Sequence, residues 1–250
     1  MSQPPRTAIA QTNLQLFDQL HDLGYSEADL LVVDAAYRLA IQLFPAHYRG
    51  SAKPFLCHLV GTASVLAGLR LPVAIVATGL LHSAYSLGDF GSVWLGVSPS
   101  KRQALRERVG SEIEERVERY AALAWQDDAP SVLLDRLSRG ETIDRETILV
   151  RLANEVDDHD DLGILYCSGA AERVQRASRI ADDCVKLAQQ LGYPDLAASL
   201  LECLTKCCTA TIVHGLRQGQ NLTFVVPSPS RLRWRLGRLL ERLHLRPRLL

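Results

Sequence analysis

Apolar residues recur at the spacing of an α-helix along most of the chain, and this periodicity constrains the fold more than any other feature. The clearest helical segment begins at Ser26 and ends at Pro45. Its apolar face is predicted to consist of Leu30, Val33, Tyr37, Ile41 and Phe44. No run of alternating β-branched residues is long enough to build a sheet, and only Thr223 to Val226 favours an extended strand. The sequence therefore predicts an all-α fold.

Glycine and proline residues divide the rest of the chain into further helical segments. Helices are expected from about Pro54, from Leu71 to Tyr85, from Ser100 to Trp125, from Asp144 to Asp160, from Ala170 to Leu191 and from Leu196 to Gly215. With 47% hydrophobic and 22% charged residues, the chain can bury a substantial core. We predict an N-terminal segment over residues 1–25, a helical domain over 26–216, a linker over 217–229 and a basic amphipathic tail over 230–250.

The charges of the chain balance, but they are unevenly placed. Lysine and arginine number 28, as do aspartate and glutamate, yet residues 231–250 hold seven arginines and one glutamate. The remainder is therefore mildly acidic, and no nucleic-acid partner is expected. No secretory signal is visible, and the most apolar run, Leu71 to Leu81, is too short to span a bilayer. A cytoplasmic location is expected by default.

The C-terminal tail predicts a basic amphipathic helix. One face carries Arg231, Arg235, Arg238 and Arg242, and apolar side chains including Trp234 lie around the other. Such a helix is expected to dock on its own domain or on a second copy, to bind an acidic partner or an anionic membrane surface, or simply to keep the chain soluble. Self-docking or homo-oligomer docking is the most economical of these, because acidic clusters lie within the chain itself.

Two histidines, His58 and His82, lie within apolar helical segments. A single histidine in this setting is usually a hydrogen-bonded core residue, but a pair on consecutive helices is better explained by a shared polar site, and imidazole is the commonest metal ligand. A third segment, Ile148 to Asp161, begins as an apolar helix and ends in an acidic cluster, where negative charge opposes the helix dipole. That placement predicts a nearby counter-charge: a bound cation, Arg151 or the basic tail.

Together the three segments resemble the HD superfamily of metal-dependent phosphohydrolases, and most closely the hydrolase domain of RelA/SpoT-type guanosine-tetraphosphate enzymes. Those enzymes carry R-x-S-G-x-P-Y-x-x-H, H-D-x-x-E-D and K-L-A-D-R-x-x-N. The matching stretches here are 49–58, 82–87 and 151–158. The resemblance covers roughly residues 26 to 190 and implies an HD-domain-like helical bundle. His58–Thr62 and His82–Phe90 are more similar still to an uncharacterised HD-like family with H-L-x-G-T and H-S-x-Y-G-T-type stretches, from which no function follows.

The catalytic positions depart from the resemblance. It implies a metal held by two histidines and two aspartates, whereas the matching residues here are His58, His82, Ser83 and Asn154. The acidic pair that positions water in the tetraphosphate hydrolases is replaced as well. Hydrolysis by a metal depends on anionic ligands that hold and partly neutralise the ion, and these neutral side chains do not supply that charge. The standard hydrolytic centre is therefore predicted to be lost.

The favoured interpretation is a degenerate HD-fold protein that binds a small molecule or nucleotide in a pocket around His58 and His82. Its expected ligand-binding residues are Arg49, Ser83, Tyr85, Asn154 and Asp158. Arg49 matches the arginine that approaches the nucleotide base in tetraphosphate hydrolases, although a surface arginine ahead of a helix is an equal alternative.

Two other functions remain open at this point. The first is a metal-dependent phosphohydrolase or oxygenase-like enzyme, in which Asp158 or Asp89 joins His58 and His82 to hold manganese, iron or zinc. The second is an interaction module defined by its basic tail. The sequence does not name a substrate, and fold analogy alone does not supply one.

Overall fold

Helices make up almost all of the regular structure. The computed structural model of the protein describes residues 8–91, 94–217 and 223–226. Within these ranges the strands are β1 (His47–Arg49) and β2 (Thr223–Val225), which form one small antiparallel pair. The predicted all-α fold is confirmed, and so is the short extended segment near residue 223. The predicted basic helix over residues 230–250 lies outside the described residues.

Ten α-helices follow one another along the described ranges. They are α1 (Asn13–Asp22), α2 (Glu27–Leu43), α3 (Phe55–Gly68), α4 (Val73–Leu81), α5 (Ala84–Leu87), α6 (Pro99–Ala122), α7 (Ala129–Ser138), α8 (Arg145–Asp160), α9 (Ala170–Gln190) and α10 (Pro194–Thr209). Short 3-10 turns cover Gly163–Tyr166 and His214–Leu216. None of these helices combines the length and the apolar character needed to cross a bilayer.

Three predicted helices differ from those observed. The segment from Leu71 to Tyr85 is broken at His82 and Ser83 into α4 and α5. The long helix α6 is kinked at Gly110, whose φ of 84° lies in the left-handed region that glycine adopts most readily. The helix predicted from Leu196 to Gly215 ends earlier, at Thr209. Helix α7, which follows the break after α6, was not predicted.

Helix α3 occupies the centre of the packing. It contacts α4 on one side and α8 on another, while α10 packs against both α8 and α9. Gly79 allows α4 to approach closely, because a Cβ there would lie 2.8 Å from Leu66 Cδ1 and 3.1 Å from Ala63 Cα. The close approach places the end of α4, with His82, beside the start of α3, with His58.

Elements from both ends of the chain pack onto this centre. Helix α1, within the segment predicted to precede the domain, contacts α3 and buries Leu16 and Leu20. Strand β2, within the predicted linker, pairs with β1 so that Thr223 lies opposite Arg49. Both ends of the described chain thus contact the segments that carry the candidate site residues.

Candidate functional site

His58 lies at the centre of a buried polar cluster between α3 and α8. Its Nδ1 is 2.7 Å from Asp157 Oδ2 and 3.5 Å from Asp158 Oδ1. Burial alone would raise the pKa of the Asp157 carboxyl, but the hydrogen bond from His58 and the charge of Lys53 outweigh it, so the pKa is lowered. Because an ionised carboxylate can only accept, His58 Nδ1 is the donor in this contact.

Gly61 leaves the space that the Asp157 carboxylate occupies. A Cβ at Gly61 would lie 1.8 Å from Asp157 Oδ1 and 2.6 Å from Asp157 Cγ, far inside van der Waals contact. His58 and Gly61 are three residues apart on α3, so both belong to the face that meets α8. The spacing of histidine and glycine in the His58–Thr62 stretch therefore has a direct structural reason: one residue binds Asp157 and the other makes room for it.

Two protein cations pair with carboxylates at the acidic end of α8. The guanidinium of Arg49 bonds to Asp158, and Lys53 Nζ lies 3.2 Å from Asp157 Oδ1 and 3.1 Å from Asp161 Oδ2. Burial would raise the pKa of Asp158, but Arg49 and His58 hold it well below its usual range. Burial would lower the pKa of Lys53, but Asp157 and Asp161 raise it overall. The counter-charge predicted for this acidic cluster is therefore supplied by Arg49 and Lys53.

A second layer of polar contacts begins at Asn154. Its Nδ2 donates to Asp158 Oδ2 at 3.0 Å, and its Oδ1 accepts from the Tyr120 hydroxyl at 2.9 Å and from Arg151 Nη1 at 2.6 Å. Arg151, a predicted counter-charge for the acidic segment, pairs with Glu155 one turn along α8. Burial would raise the pKa of Glu155, but the neighbouring arginines lower it to about 2. Neither Tyr120 nor Glu155 is among the site residues predicted from the sequence.

His82 packs against His58 in a T-shaped arrangement. The ring centroids are 5.3 Å apart, and the Tyr120 ring lies 5.0 Å from His82 on another side. Burial and the nearby His58 lower the pKa of His82 to about 3, so its imidazole is neutral at neutral pH. His82 Nδ1 lies 2.8 Å from the carbonyl oxygen of Gly79, which only accepts, so Nδ1 carries the proton and Nε2 the lone pair.

Three other predicted site residues are engaged elsewhere. The carbonyl of Ser83 accepts a hydrogen bond at the start of α5, and the Tyr85 hydroxyl donates to Glu114 Oε1 at 2.6 Å. Asp89 Oδ1 accepts from the Gly91 amide at 2.8 Å. None of the three lines the cleft described next.

A cleft opens beside the ion pairs, between the start of α3 and the end of α8. Its walls are formed by Arg49, Ser51, Lys53, Asp157, Asp158, Asp161, Gly163, Ile164 and Cys167. It encloses about 250 Å³ not filled by protein atoms, including space open to solvent. The ion pairs narrow it so far that about one water molecule fits inside. A larger ligand therefore requires that side chains lining the cleft move apart, as Arg49 and Asp158 would if their ion pair separated.

The same residues include a candidate metal-ligand group. Among the residues that the structure describes, His58, Asp157 and Asp158 can present ligand atoms within 4.8 Å of one another, whereas His82 and Asp89 are not part of this group. One imidazole and two carboxylates suit manganese, iron or zinc. Both carboxylates are already balanced by Arg49 and Lys53, so a divalent ion has to displace two protein cations.

Comparisons with known proteins give two partial matches. The model of a domain of unknown function, DUF6817, matches residues 43–124, less than half of the chain. A probable GTP pyrophosphokinase from Mycobacterium leprae (strain TN) is 27% identical over 124 residues. The matched segment covers 50% of this chain and 14% of that protein, so the chain corresponds to a small part of its relative.

The DUF6817 match contains one half of the site. Residues 43–124 include β1 and helices α3 to α6, and hence Arg49, Gly61 and both central histidines. Asp157 and Asp158 lie beyond it on α8. The first half thus supplies the imidazoles and the cations of the cleft, and α8 supplies the carboxylates.

Proposed function

We propose that this chain is an HD-like helical domain that has lost the standard phosphohydrolase metal centre and binds a small nucleotide-type ligand in the cleft beside His58. The observation that carries the proposal is the pairing of Asp157 and Asp158 with Lys53 and Arg49. A hydrolytic metal needs uncompensated negative charge from its ligands. Here that charge is already balanced inside the protein.

The residues at the expected metal positions support the same conclusion. The standard ligand set matches His58, His82, Ser83 and Asn154, which offer no carboxylate and do not fit a hard divalent ion. Asn154 uses its side chain to bond to Asp158, which stands where the related motif has asparagine. Aspartate and asparagine are thus exchanged along one face of α8, and the relocated carboxylate is held by Arg49.

The ligand class follows from the donors of the cleft and from the relative that the chain matches. Arg49 and Lys53 are cations, and an arginine fork binds phosphate through two parallel hydrogen bonds. A phosphate group would take over these donors from Asp157 and Asp158. The matched relative bears the name of a GTP pyrophosphokinase, so a guanine nucleotide is the first ligand to test.

A second candidate function is a metal-dependent enzyme with relocated ligands. It is favoured by the closeness of the His58, Asp157 and Asp158 ligand atoms. In that case manganese, iron or zinc would bind this trio, and the displaced Arg49 and Lys53 would be free to hold the phosphate of a substrate.

Nucleotide binding to the full chain separates these functions. Isothermal titration calorimetry measures the binding of GTP, GDP and guanosine tetraphosphate, first in buffer that contains a chelator and then in buffer with added manganese. Chromatography of the same samples shows whether any nucleotide has been hydrolysed. We expect binding without metal and no turnover. Arg49→Lys keeps the charge beside Asp158 but loses the fork, so affinity should fall roughly tenfold or more.

Arg38→Lys is the matched control, because Arg38 is an exposed arginine paired with Asp34 on α2. Its affinity should equal that of the wild type. Absence of binding for all three nucleotides contradicts the proposal. Turnover that requires manganese and disappears in His58→Ala favours the metal-dependent enzyme instead.

A further inference from the structure

The strand that carries Arg49 is held by the C-terminal part of the chain. Strand β2 pairs with β1, placing Phe224 opposite Tyr48 and Thr223 opposite Arg49. The rings of Tyr48 and Phe224 stack at a centroid distance of 5.6 Å and an interplanar angle of 20°. After α10 ends at Thr209, the chain therefore returns to the edge of the cleft.

Movement of β1 is transmitted to both cations of the cleft. The Arg49 amide donates to the Lys53 carbonyl at 2.8 Å, and the Ala52 amide donates to the Arg49 carbonyl at 2.8 Å. These bonds close a tight turn that links the end of β1 to the start of α3. If β1 moves relative to β2, Arg49 and the turn that precedes Lys53 therefore move with it.

The contact with β2 is short enough to open on its own. It consists of three paired residues and one further bond, from the Val226 amide to the Ala46 carbonyl at 3.0 Å. Val225 and Val226 are exposed. An isolated two-stranded ribbon is marginally stable in water, so this contact should open far more easily than the helical core unfolds.

We propose that residues 223–226 act as a strap that sets the position of Arg49 and thereby controls access to the cleft. When the strap is paired, β1 is fixed and the bond between Arg49 and Asp158 keeps the cleft narrow. When the strap is released, Arg49 is free to leave Asp158 and the cleft widens. A partner that draws the C-terminal residues away from β1 would therefore change ligand affinity by linkage. The inference rests on the proposed function only in taking the cleft as the ligand site.

Cys167 provides a test that requires no ligand. It lines the cleft and is buried, and burial raises the pKa of its thiol, so it should react with iodoacetamide mainly when the cleft opens. Cys208 is exposed and reports reagent activity in the same sample. Alkylation of each cysteine in the full chain is followed by peptide mass spectrometry, for the wild type, Phe224→Ala and Leu216→Ala. Leu216 is exposed and lies outside the paired strand, so it is the matched control.

Loss of the ring contact should raise the Cys167 rate in Phe224→Ala by roughly two- to tenfold, the range expected for one aromatic pair. The Cys208 rate should not change, and Leu216→Ala should match the wild type. A second variant, Phe224→Pro, removes an amide donor. Because the Val226 amide bonds to Ala46, the alternation of antiparallel pairs places the Phe224 amide against the Tyr48 carbonyl.

Deuterium exchange of the Tyr48 amide, which the same alternation places against the Phe224 carbonyl, is measured in the same proteins. Faster exchange in the Phe224 variants together with faster Cys167 alkylation supports the strap. Faster exchange with an unchanged Cys167 rate overturns it, because β1 would be released without opening the cleft. Unchanged exchange in both Phe224 variants also overturns it, because β2 would not be what holds β1. Neither readout involves nucleotide, so failure of nucleotide binding is a separate result.

Discussion

Replacing Gly61 by alanine tests the central geometry of the site. The new Cβ would lie 1.8 Å from Asp157 Oδ1, so the carboxylate has to move by well over an ångström to reach an ordinary contact. Such a movement breaks the 2.7 Å contact with His58 and weakens the 3.2 Å contact with Lys53. The substitution should therefore destabilise the whole buried cluster, even though alanine favours a helix more than glycine does.

The expected change in the free energy of unfolding combines two costs and one gain. Overpacking a tight core site costs about 1–3 kcal/mol, and separating the partners of a buried ion pair costs about 3–5 kcal/mol when the charge stays buried. The intrinsic gain from alanine in a helix is about 1 kcal/mol. Because the displaced Asp157 can relax partly toward the cleft, we expect a net loss of about 3 kcal/mol in the free energy of unfolding.

Urea denaturation followed by circular dichroism measures this loss. Gly68→Ala is the matched control on the same helix, since a Cβ there meets only Gln19 Nε2 at 3.8 Å. It should be neutral or stabilise by up to about 1 kcal/mol. In an Asp157→Ala background, Gly61→Ala should lose most of its effect, because the clashing carboxylate is gone. A loss below about 1 kcal/mol for Gly61→Ala, or the same loss in both backgrounds, would refute this account of Gly61.

Two further predictions concern buried ionisable groups. The pKa of His82 is lowered to about 3 in the folded chain, whereas a histidine of the unfolded chain has a pKa near 6.5. As the pH falls, the unfolded chain therefore binds a proton at His82 before the folded chain does, and the free energy of unfolding declines from about pH 6.5 downward. Between about pH 7 and 5 the free energy of unfolding should drop by about 2 kcal/mol from this group, and His82→Gln should remove that part of the slope in urea titrations. Glu114 is buried and accepts bonds from Tyr85, Arg102 and Arg106, so Glu114→Ala, which leaves the buried Tyr85 hydroxyl without its acceptor, should lose about 2–3 kcal/mol. Tyr85→Phe, which removes one of these donors, should lose only about 1 kcal/mol in the same assay, and equal losses would contradict the assigned charge network.

Local patterns in the sequence predicted the secondary structure where a chemical signal marks a boundary. Ser26, where the clearest helical segment was predicted to begin, forms a capping box with Asp29 at the start of α2. The break between α4 and α5 was not predicted, because neither His82 nor Ser83 is a helix breaker. There the imidazole of His82 bonds to the carbonyl of Gly79, a contact that no composition rule reveals.

The sequence predicted only part of the site, because local spacing indicates contacts within a helix but not contacts between distant segments. Asn154 and Asp158 lie four residues apart, so a shared helix face could be expected, and their side chains are in contact. The same spacing joins Arg151 to Glu155. The bond between Arg49 and Asp158 joins residues 109 positions apart, and it depends on tertiary packing that brings β1 and the start of α3 beside α8.

The ion pairs at the acidic end of α8 also bear on how the stability of the protein depends on metal ions in its surroundings. A fold that relies on a bound ion gains stability in proportion to the supply of that ion, and loses it when a chelator or a metal-poor environment removes the supply. Arg49 and Lys53 are residues of the chain itself, so the positive charge beside these carboxylates does not depend on the concentration of any ion in solution. We therefore expect its thermal midpoint to be the same in excess chelator and in metal-supplemented buffer, so that folding of this domain is independent of cellular metal status.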